Sequence, residues 1–226
     1  MSLHYHGLPL TPFEMLDRLK GKHVCISFAT ARKKEVAWAL KHAQSIMWDN
    51  GAFSAFTQGV TLDVQKFYRW VEPNLMHPHW AVVPDVINGT SKEQKKLLKG
   101  WPFDRALGAP VWHLGLPLHY LLYLADEWPR ICLGSSDRYW KVGGMEWARR
   151  MDKAFDFLSS RRNTMPWIHG LRMLSQLGKR WPLASADSVN VARNFKSGWG
   201  KCPGCMSNKI DEVNNSVIWT PAVFRL

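Results

Sequence analysis

The chain has 226 residues, of which 46% are hydrophobic and 21% are charged. This composition is typical of a globular protein, and the length suits a single domain. No run of about 18 apolar residues occurs, so the sequence predicts no membrane span. The first residues carry no basic stretch followed by an apolar core, and we therefore expect no secretory leader and a cytoplasmic location.

The strong positive charge bears on the partners of the protein. The formal net charge is +12, from 30 Lys and Arg against 18 Asp and Glu. A charge this far from zero favours polyanions, and nucleic acid first among them. A basic surface that only keeps the protein in solution is the alternative. Thirteen Trp is a high number. Most fit core positions, while a few exposed ones would be suited to stacking on unpaired bases.

Short apolar, β-branched runs alternate along the chain with segments of helical character. The predicted strands are His23–Ala29, Ser45–Trp48, His79–Val83, Ala109–Trp112, Arg130–Leu133, Met165–Ile168 and Pro182–Ser185. The predicted helices are Phe13–Lys20, Lys33–His42, Thr61–Val71, Ser91–Leu98, Leu118–Asp126 and Met145–Leu158. A strand followed by a helix, repeated about seven times, indicates a parallel sheet.

The residues at the strand ends decide between an open sheet and a closed barrel. A polar residue stands at almost every end: Ser27, Asp49-Asn50, Asp85, His113, Ser135-Ser136, His169 and Asp187. An open sheet would use only the few ends near one crevice, whereas a barrel gathers all of them at one mouth. The sequence therefore predicts a single α/β domain over residues 1–226, a (β/α)8 TIM-like barrel with some irregularity at one end. Val217–Thr220 is the candidate for the eighth strand.

The four cysteines fall into two kinds. Cys25 and Cys132 lie in apolar strand-like runs and are expected to be buried. Cys202 and Cys205 form a Cys-Pro-Gly-Cys pair in the C-terminal segment 196–226, with the spacing of half a zinc site. Only a fold that brings a His such as His4, His6, His77 or His79 to the pair would complete that site. Two free thiols in a turn are the alternative, so zinc is an open option and no cofactor is required.

Three aspartates each stand at or just past the end of a predicted strand: Asp49, Asp85 and Asp187. A lone aspartate there is usually a helix cap or a loop anchor. Three that converge in one barrel mouth indicate chemistry instead. Carboxylates in a pair suit reactions at a sugar C1′, because one can attack or stabilise the oxocarbenium-like centre while the other moves a proton on the leaving base.

Two of these aspartates lie in motifs that resemble the tRNA-guanine transglycosylases. Asp49-Asn50-Gly51-Ala52-Phe53-Ser54 is similar to that family's Asp-Ser-Gly-Gly-Phe-Gln. The run Ala186-Asp187-Ser188-Val189-Asn190-Val191-Ala192-Arg193 is similar to its Phe-Asp-Cys-Val-x-Pro-Thr-Arg. Between them, Asp85, Gly134-Ser135-Ser136 and Ile168-His169-Gly170-Leu171 follow in the family's order. The resemblance covers residues 45–195 and rests on these short motifs.

The resemblance implies a mechanism. Asp187 would attack C1′ and expel the base, and Asp49 would be the general acid and base. Asp85 would accept hydrogen bonds from the donor edge of a guanine-like ring. The remaining base contacts would come from Asn50, Gly51, His113, Gly134, Ser135, His169 and Gly170. Gly51 and Ala52 would leave room for the ring, and Phe53 would pack below the mouth. Asn190 and Arg193 would position phosphate. The target nucleotide would have to leave its stack.

Several departures from the family pattern bear on the substrate. The family's zinc subdomain has three Cys and one His, and only Cys202 and Cys205 remain here. Ser54 replaces the motif's Gln, and His113 stands where the family often has Gln. A reduced tRNA platform favours the related bacterial and phage branch that inserts 7-deazaguanines into DNA. The expected partners are DNA or tRNA, with DNA favoured, and a free 7-deazaguanine base. A homodimer or an accessory protein is left open.

Three rival functions remain at this point. An N-glycosidase would use the same carboxylates to release the base to water. A non-catalytic nucleic-acid-binding barrel would keep the charge, although an anionic nucleophile near phosphates would not serve it. A metal-dependent barrel hydrolase would use Asp49, His113, His169 and Asp187 as ligands. It ranks last, because His4 and His6 precede every predicted strand. For His113 and His169 a hydrogen-bonded core role is the alternative.

Overall fold

The computed structural model describes residues 2–196 and 201–221, and in these ranges one parallel sheet is surrounded by helices. The strands are β1 (Leu3–Gly7), β2 (His23–Ser27), β3 (Ser45–Asp49), β4 (Trp80–Val82), β5 (Gly108–Ala109), β6 (Val111–His113), β7 (Arg130–Gly134), β8 (Trp167–Gly170) and β9 (Ser185–Ser188). The helices are α1 (Lys33–His42), α2 (Ala52–Thr57), α3 (Val64–Val71), α4 (Ser91–Lys99), α5 (Leu118–Glu127), α6 (Met145–Ser159), α7 (Asn190–Asn194) and α8 (Pro203–Asp211). None of these described helices is long and apolar enough to cross a lipid bilayer.

The sheet is a nearly closed barrel with its seam at Pro110. Its strand order is β5-β4-β3-β2-β1-β9-β8-β7-β6, and every pairing is parallel. The two end strands, β5 and β6, are separated only by Pro110. The Val83 amide donates to the Ala109 carbonyl at 3.0 Å, and the Cys132 amide donates to the Pro110 carbonyl at 2.8 Å. The extended stretch 108–113 thus bridges β4 and β7, which confirms the α/β TIM-like barrel.

The first strand of the barrel is one that the sequence analysis missed. β1 lies between β2 and β9, and its Tyr5 is in register with His23 on one side and Asp187 on the other. Val217–Thr220, the candidate for the eighth strand, is irregular, so that assignment was wrong. Trp219 in it instead packs on Phe155 of α6 and donates its indole N–H to Asp156.

The last two strands begin later than predicted. β8 starts at Trp167 rather than Met165, and β9 starts at Ser185 rather than Pro182. Pro166 and Pro182 lack the N–H that a parallel ladder needs, which is a physical reason for both delays. Asp187 therefore lies inside β9, and not beyond its end.

Local sequence explains how several outer helices begin. α1 spans the predicted residues, and α4 opens with a capping box in which Thr90 and Glu93 bond reciprocally. α3 begins at Val64 rather than Thr61, because the Asp63 carboxylate is the cap and accepts from the Lys66 amide. The helix predicted over Phe13–Lys20 is a 3₁₀ helix, Phe13–Leu19.

The barrel interior is filled below its mouth by aromatic rings. Four rings from three strands, those of Tyr5, Trp80, Trp167 and His169, have centroids between 5.1 and 6.1 Å apart along their contacts. The Arg130 guanidinium lies over the rings of Trp80 and Trp167. This aromatic layer closes the interior of the barrel. Polar side chains that point inward nearer the carboxyl ends of the strands therefore face the mouth.

Candidate functional site

A cavity of about 1320 Å³ lies over the carboxyl ends of the strands and extends toward α7 and α8. Residues of seven of the nine described strands, all except β5 and β8, line it. Successive side chains along a strand alternate between the interior and the helix layer. All three predicted aspartates, Asp49, Asp85 and Asp187, line this cavity, as do Ser27 and His113. The convergence expected of a barrel mouth is therefore present.

Asp187 is held at one carboxylate oxygen by two donors. Its Oδ1 accepts from the Arg172 amide at 2.8 Å and contacts His169 Nε2 at 3.2 Å. Among the described residues no hydrogen-bond donor reaches Oδ2, and the residue is 8% exposed. One oxygen is thus fixed by the protein, while the other remains available for chemistry in the cavity.

His169 supports Asp187 from below and does not reach the cavity. It is fully buried (0% exposed), and burial lowers the pKa of its imidazole, with Asp187 opposing that effect. A neutral imidazole beside a carboxylate carries its proton on Nε2, so Nδ1 accepts from the Ser185 hydroxyl at 2.6 Å. The expected contact between His169 and the base was therefore wrong, and the residue orients Asp187 instead.

Asp49 sits in a very different environment from Asp187. The pKa of its carboxyl is raised from 3.8 to about 6, first because burial desolvates the charged form. The charges of Asp187 and Asp85 add to the rise, whereas the Ser27 hydroxyl and the Gly51 amide oppose it. The Ser27 hydroxyl is buried and lacks a hydrogen bond of full geometry, so we assign it only a weak influence. A carboxyl of this kind can hold and release a proton near neutral pH.

Asp85 is fixed by neighbours on both sides. Its Oδ1 accepts from Asn50 Nδ2 at 2.8 Å, and its Oδ2 lies 2.7 Å from His113 Nε2. Asn50 also donates to the Val83 carbonyl and accepts from the Ala52 amide, so its amide is fully used in holding Asp85 and the start of α2. Each Asp85 oxygen retains a lone pair for a ligand donor.

The glycines predicted to contact a base differ in position. Gly134 faces inward, and a Cβ there would lie 2.9 Å from His113 Nδ1, so only glycine leaves room for that ring. Gly51 has φ of 78° and forms the turn into α2, outside the cavity lining. Gly170 faces the helix layer, where a Cβ would meet Met173 at 2.8 Å. Gly170 therefore faces away from the mouth, and the base contact predicted for it was wrong. Gly51 lies between Asn50 and Ala52, which both line the cavity, and its base contact stays a prediction.

The remaining predicted residues lie at the rim or away from it. Ser135 lines the cavity, with its hydroxyl accepting from the Trp147 indole N–H at 2.8 Å. Asn190 and Arg193 line it from α7, where both are exposed. Phe53 was expected to pack below the mouth, but it is 45% exposed and lies at the rim.

The cysteine pair lies apart from the cavity. Cys202 caps α8, Cys205 lies in its first turn rather than in a turn between elements, and their sulfurs are 2.6 Å apart. In the ranges 2–196 and 201–221 no three His, Cys, Asp or Glu residues are grouped as metal ligands. The two cysteines thus have no further described ligand near them.

His4 and His6 do lie on a strand, contrary to the sequence analysis, but on its outer face. Tyr5 and Gly7 of β1 face the interior, so the two histidines face α8, where His6 Nε2 is 3.0 Å from Asp211. The premise for ranking the metal-dependent hydrolase last was wrong. His6 does not line the cavity that holds the three aspartates, whereas His4 lines it and lies 3.7 Å from Asp211 of α8.

Two contributors to the site had no recognisable sequence motif. The Arg172 amide reaches Asp187 only because Arg172 adopts φ of 61°, which its residue type does not favour. Ser185 lies two residues before Asp187 and therefore faces the same side of β9. The alternation of side chains along a strand would have predicted this, had the bounds of β9 been assigned correctly. No protein-family model matches the chain, and no curated protein matches it in sequence.

Proposed function

We propose that this protein is a base-exchange transglycosylase that replaces guanine in a nucleic acid, DNA in preference to tRNA, with a 7-deazaguanine. The observation that carries the proposal is the pair of carboxyls, Asp49 and Asp187, that share one mouth. Burial raises the pKa of Asp49, as a general acid requires, while Asp187 has one oxygen that no described protein donor reaches, as a nucleophile requires.

The chemistry follows from these two environments. The free Oδ2 of Asp187 attacks C1′ and forms an aspartyl-glycosyl ester as the C1′–N9 bond breaks. Protonated Asp49 gives its proton to the departing purine and takes one back from the incoming base. The incoming base then displaces Asp187 from C1′, so the sugar is returned to an N-glycosidic bond and no oxidant is needed.

Base recognition is assigned to the second polar group of the mouth. Asp85, held by Asn50 and His113, accepts from the donor edge of a guanine-like ring, and Gly134 leaves space for His113 beside it. The preference for DNA rests on the resemblance described above and on a cysteine pair without further described ligands.

The test is a denaturing gel of the protein after incubation with radiolabelled DNA or bulk tRNA. Each polymer is used with and without 7-cyano-7-deazaguanine, and wild type is compared with Asp187→Asn and with Asp63→Asn, an exposed control aspartate. We expect a heat-stable protein–nucleic acid band that requires Asp187 and not Asp63, with the Asp187→Asn protein still folded. The lane with the band identifies the polymer.

Other outcomes decide against the proposal. Abasic product without base exchange would identify an N-glycosidase. Binding without adduct, exchange or abasic product would identify a non-catalytic barrel. Full activity of Asp187→Asn would refute the assignment of the nucleophile.

A further inference from the structure

Three exposed aromatic side chains stand together beside the mouth of the barrel. Trp140 is 72% exposed, Phe56 is 50% exposed and Phe53 is 45% exposed. With Ile87 and Arg172 they line a shallow space of about 230 Å³, which we call the rim recess. This volume is below the roughly 300–1,000 Å³ of a small-molecule pocket, and it suits one planar ring.

The exposure of Trp140 is built into the fold. It follows a 3₁₀ turn, Asp137–Tyr139, whose last residue is buried among core side chains. The Trp140 amide donates to the Asp137 carbonyl at 3.0 Å, so the backbone is fixed while the indole projects into solvent. Apolar surface of this size is usually buried unless it binds a partner.

Arg172 connects the rim recess to Asp187. Its guanidinium lies over the Phe53 ring at 4.5 Å, while its amide donates to Asp187. Within the described residues, every non-glycine residue with positive φ lines the recess: Asn88, Asp137 and Arg172. Unfavourable backbone that the surroundings hold in place is common at ligand sites.

We propose that the rim recess binds the base next to the target nucleotide in an unpaired strand, by stacking on Trp140. The inference rests on the proposed function, because a nucleotide in the mouth places its neighbour at the rim. Phe53, Ile87, Ser135 and Arg172 line both the recess and the large cavity, so the two spaces are continuous.

Charge and size favour a nucleobase as the occupant. The chain carries a net charge of +12, and the recess is lined by one cation, Arg172, beside one carboxylate, Asp137. Aromatic faces beside positive charge are the features by which proteins hold single strands without reading sequence. A stable protein interface buries on the order of 800 Å² per partner, far more than so small a recess offers.

The experiment is a binding cycle with fluorescein-labelled single strands of 12 nucleotides, in DNA and RNA versions. Each contains one guanine, flanked either by normal bases or by abasic residues. Asp187→Asn is the background, so that no bond breaks. Onto it we place Trp140→Ala, Trp140→Phe, and Tyr123→Ala, an exposed aromatic on α5 that serves as the matched control.

We expect Trp140→Ala to weaken binding by about 5- to 160-fold, the range of one lost base stack. Abasic flanks should weaken binding of the Trp140 protein by the same factor and should have no further effect on Trp140→Ala. Trp140→Phe should restore most of the affinity, and Tyr123→Ala should leave it unchanged.

Several results would overturn the inference. The first is an unchanged affinity of Trp140→Ala. The second is that the losses of affinity from Trp140→Ala and from the abasic flanks multiply, as independent effects would. The third is that neither polymer binds. A role of Trp140 in self-association alone, seen by sedimentation, would make the recess a protein contact. Coupled losses in the binding cycle, together with no adduct of the wild type in the denaturing-gel assay, would refute glycosyl transfer and leave the recess proposal intact. An adduct of the wild type with uncoupled losses would do the reverse.

Discussion

Asp49 should weaken the folded protein at neutral pH, because its charged form is disfavoured where it sits. A rise of its pKa from 3.8 to about 6 corresponds to roughly 3 kcal/mol, at about 1.36 kcal/mol for each tenfold change in proton affinity. The side chain keeps a partly open path to the cavity, and screening reduces the value. We therefore expect Asp49→Asn to raise the free energy of unfolding by about 1–3 kcal/mol at pH 7.5.

The sign of this effect sets its pH dependence. Below about pH 4 the carboxyl is protonated in both the folded and the unfolded chain, and it imposes no penalty. Between about pH 4 and 6 Asp49 binds more protons in the folded chain than in the unfolded one, so its contribution to wild-type stability falls as pH rises. Above about pH 6 the full penalty is present, and the gain of Asp49→Asn should be constant.

Urea unfolding, followed by tryptophan fluorescence at pH 4.5, 5.5, 6.5 and 7.5, measures both quantities. Asp63→Asn is the control, since an exposed helix-capping aspartate is replaced there by an equally good cap. The reasoning is refuted if Asp49→Asn is less stable than wild type at pH 7.5. A stability difference that does not vary with pH refutes it equally.

The same carboxyl should govern the rate. If protonated Asp49 assists base departure, adduct formation in the wild type should slow above about pH 6, and Asp49→Asn should lose about 10²- to 10⁴-fold in rate. If Asp49→Asn is more stable than the wild type but inactive, the carboxyl of Asp49 is needed for the reaction and not for the stability of the fold.

Two further substitutions test base recognition. Asp85→Ala removes the acceptor that Asn50 and His113 hold. The variant should have a higher apparent KM for guanine-containing substrate and should accept altered purines. Unchanged selectivity between purines in competition assays would contradict this prediction. Gly134→Ala places a Cβ 2.9 Å from His113 Nδ1 and should displace that ring from Asp85. We expect weaker base binding by calorimetry from this variant with little loss of stability, and unaltered binding would show that His113 does not position Asp85.

The fold could be predicted from the sequence because strands alternate with helices and because nearly every predicted strand is followed by a polar residue. The same argument placed Asp49, Asp85 and Asp187 at one mouth. β1 was missed because its two histidines gave it little resemblance to a buried strand, although His4 and His6 face a helix and not the interior.

Sequence patterns could not predict the contacts that hold Asp187 in place or the exposed aromatic side chains at the rim. A backbone amide such as that of Arg172 has no residue-type preference that marks it, and its position depends on one unusual φ. The role of His169 depends on burial, which a strand-end position does not specify. Phe53 and Trp140 belong to types that usually fill cores, and only the three-dimensional arrangement shows them at the surface.

The pairing of β1 with β9 has a consequence for when Asp187 reaches its place in the fold during synthesis. β1 leaves the ribosome early, but one of its edges has no partner until residues 185–188 have emerged. The strand that completes the ring is the same one that carries Asp187, with Ser185 beneath it to orient His169. Asp49 and Asp187 therefore come together only when β9 pairs with β1 and β8, near the end of synthesis of the described barrel.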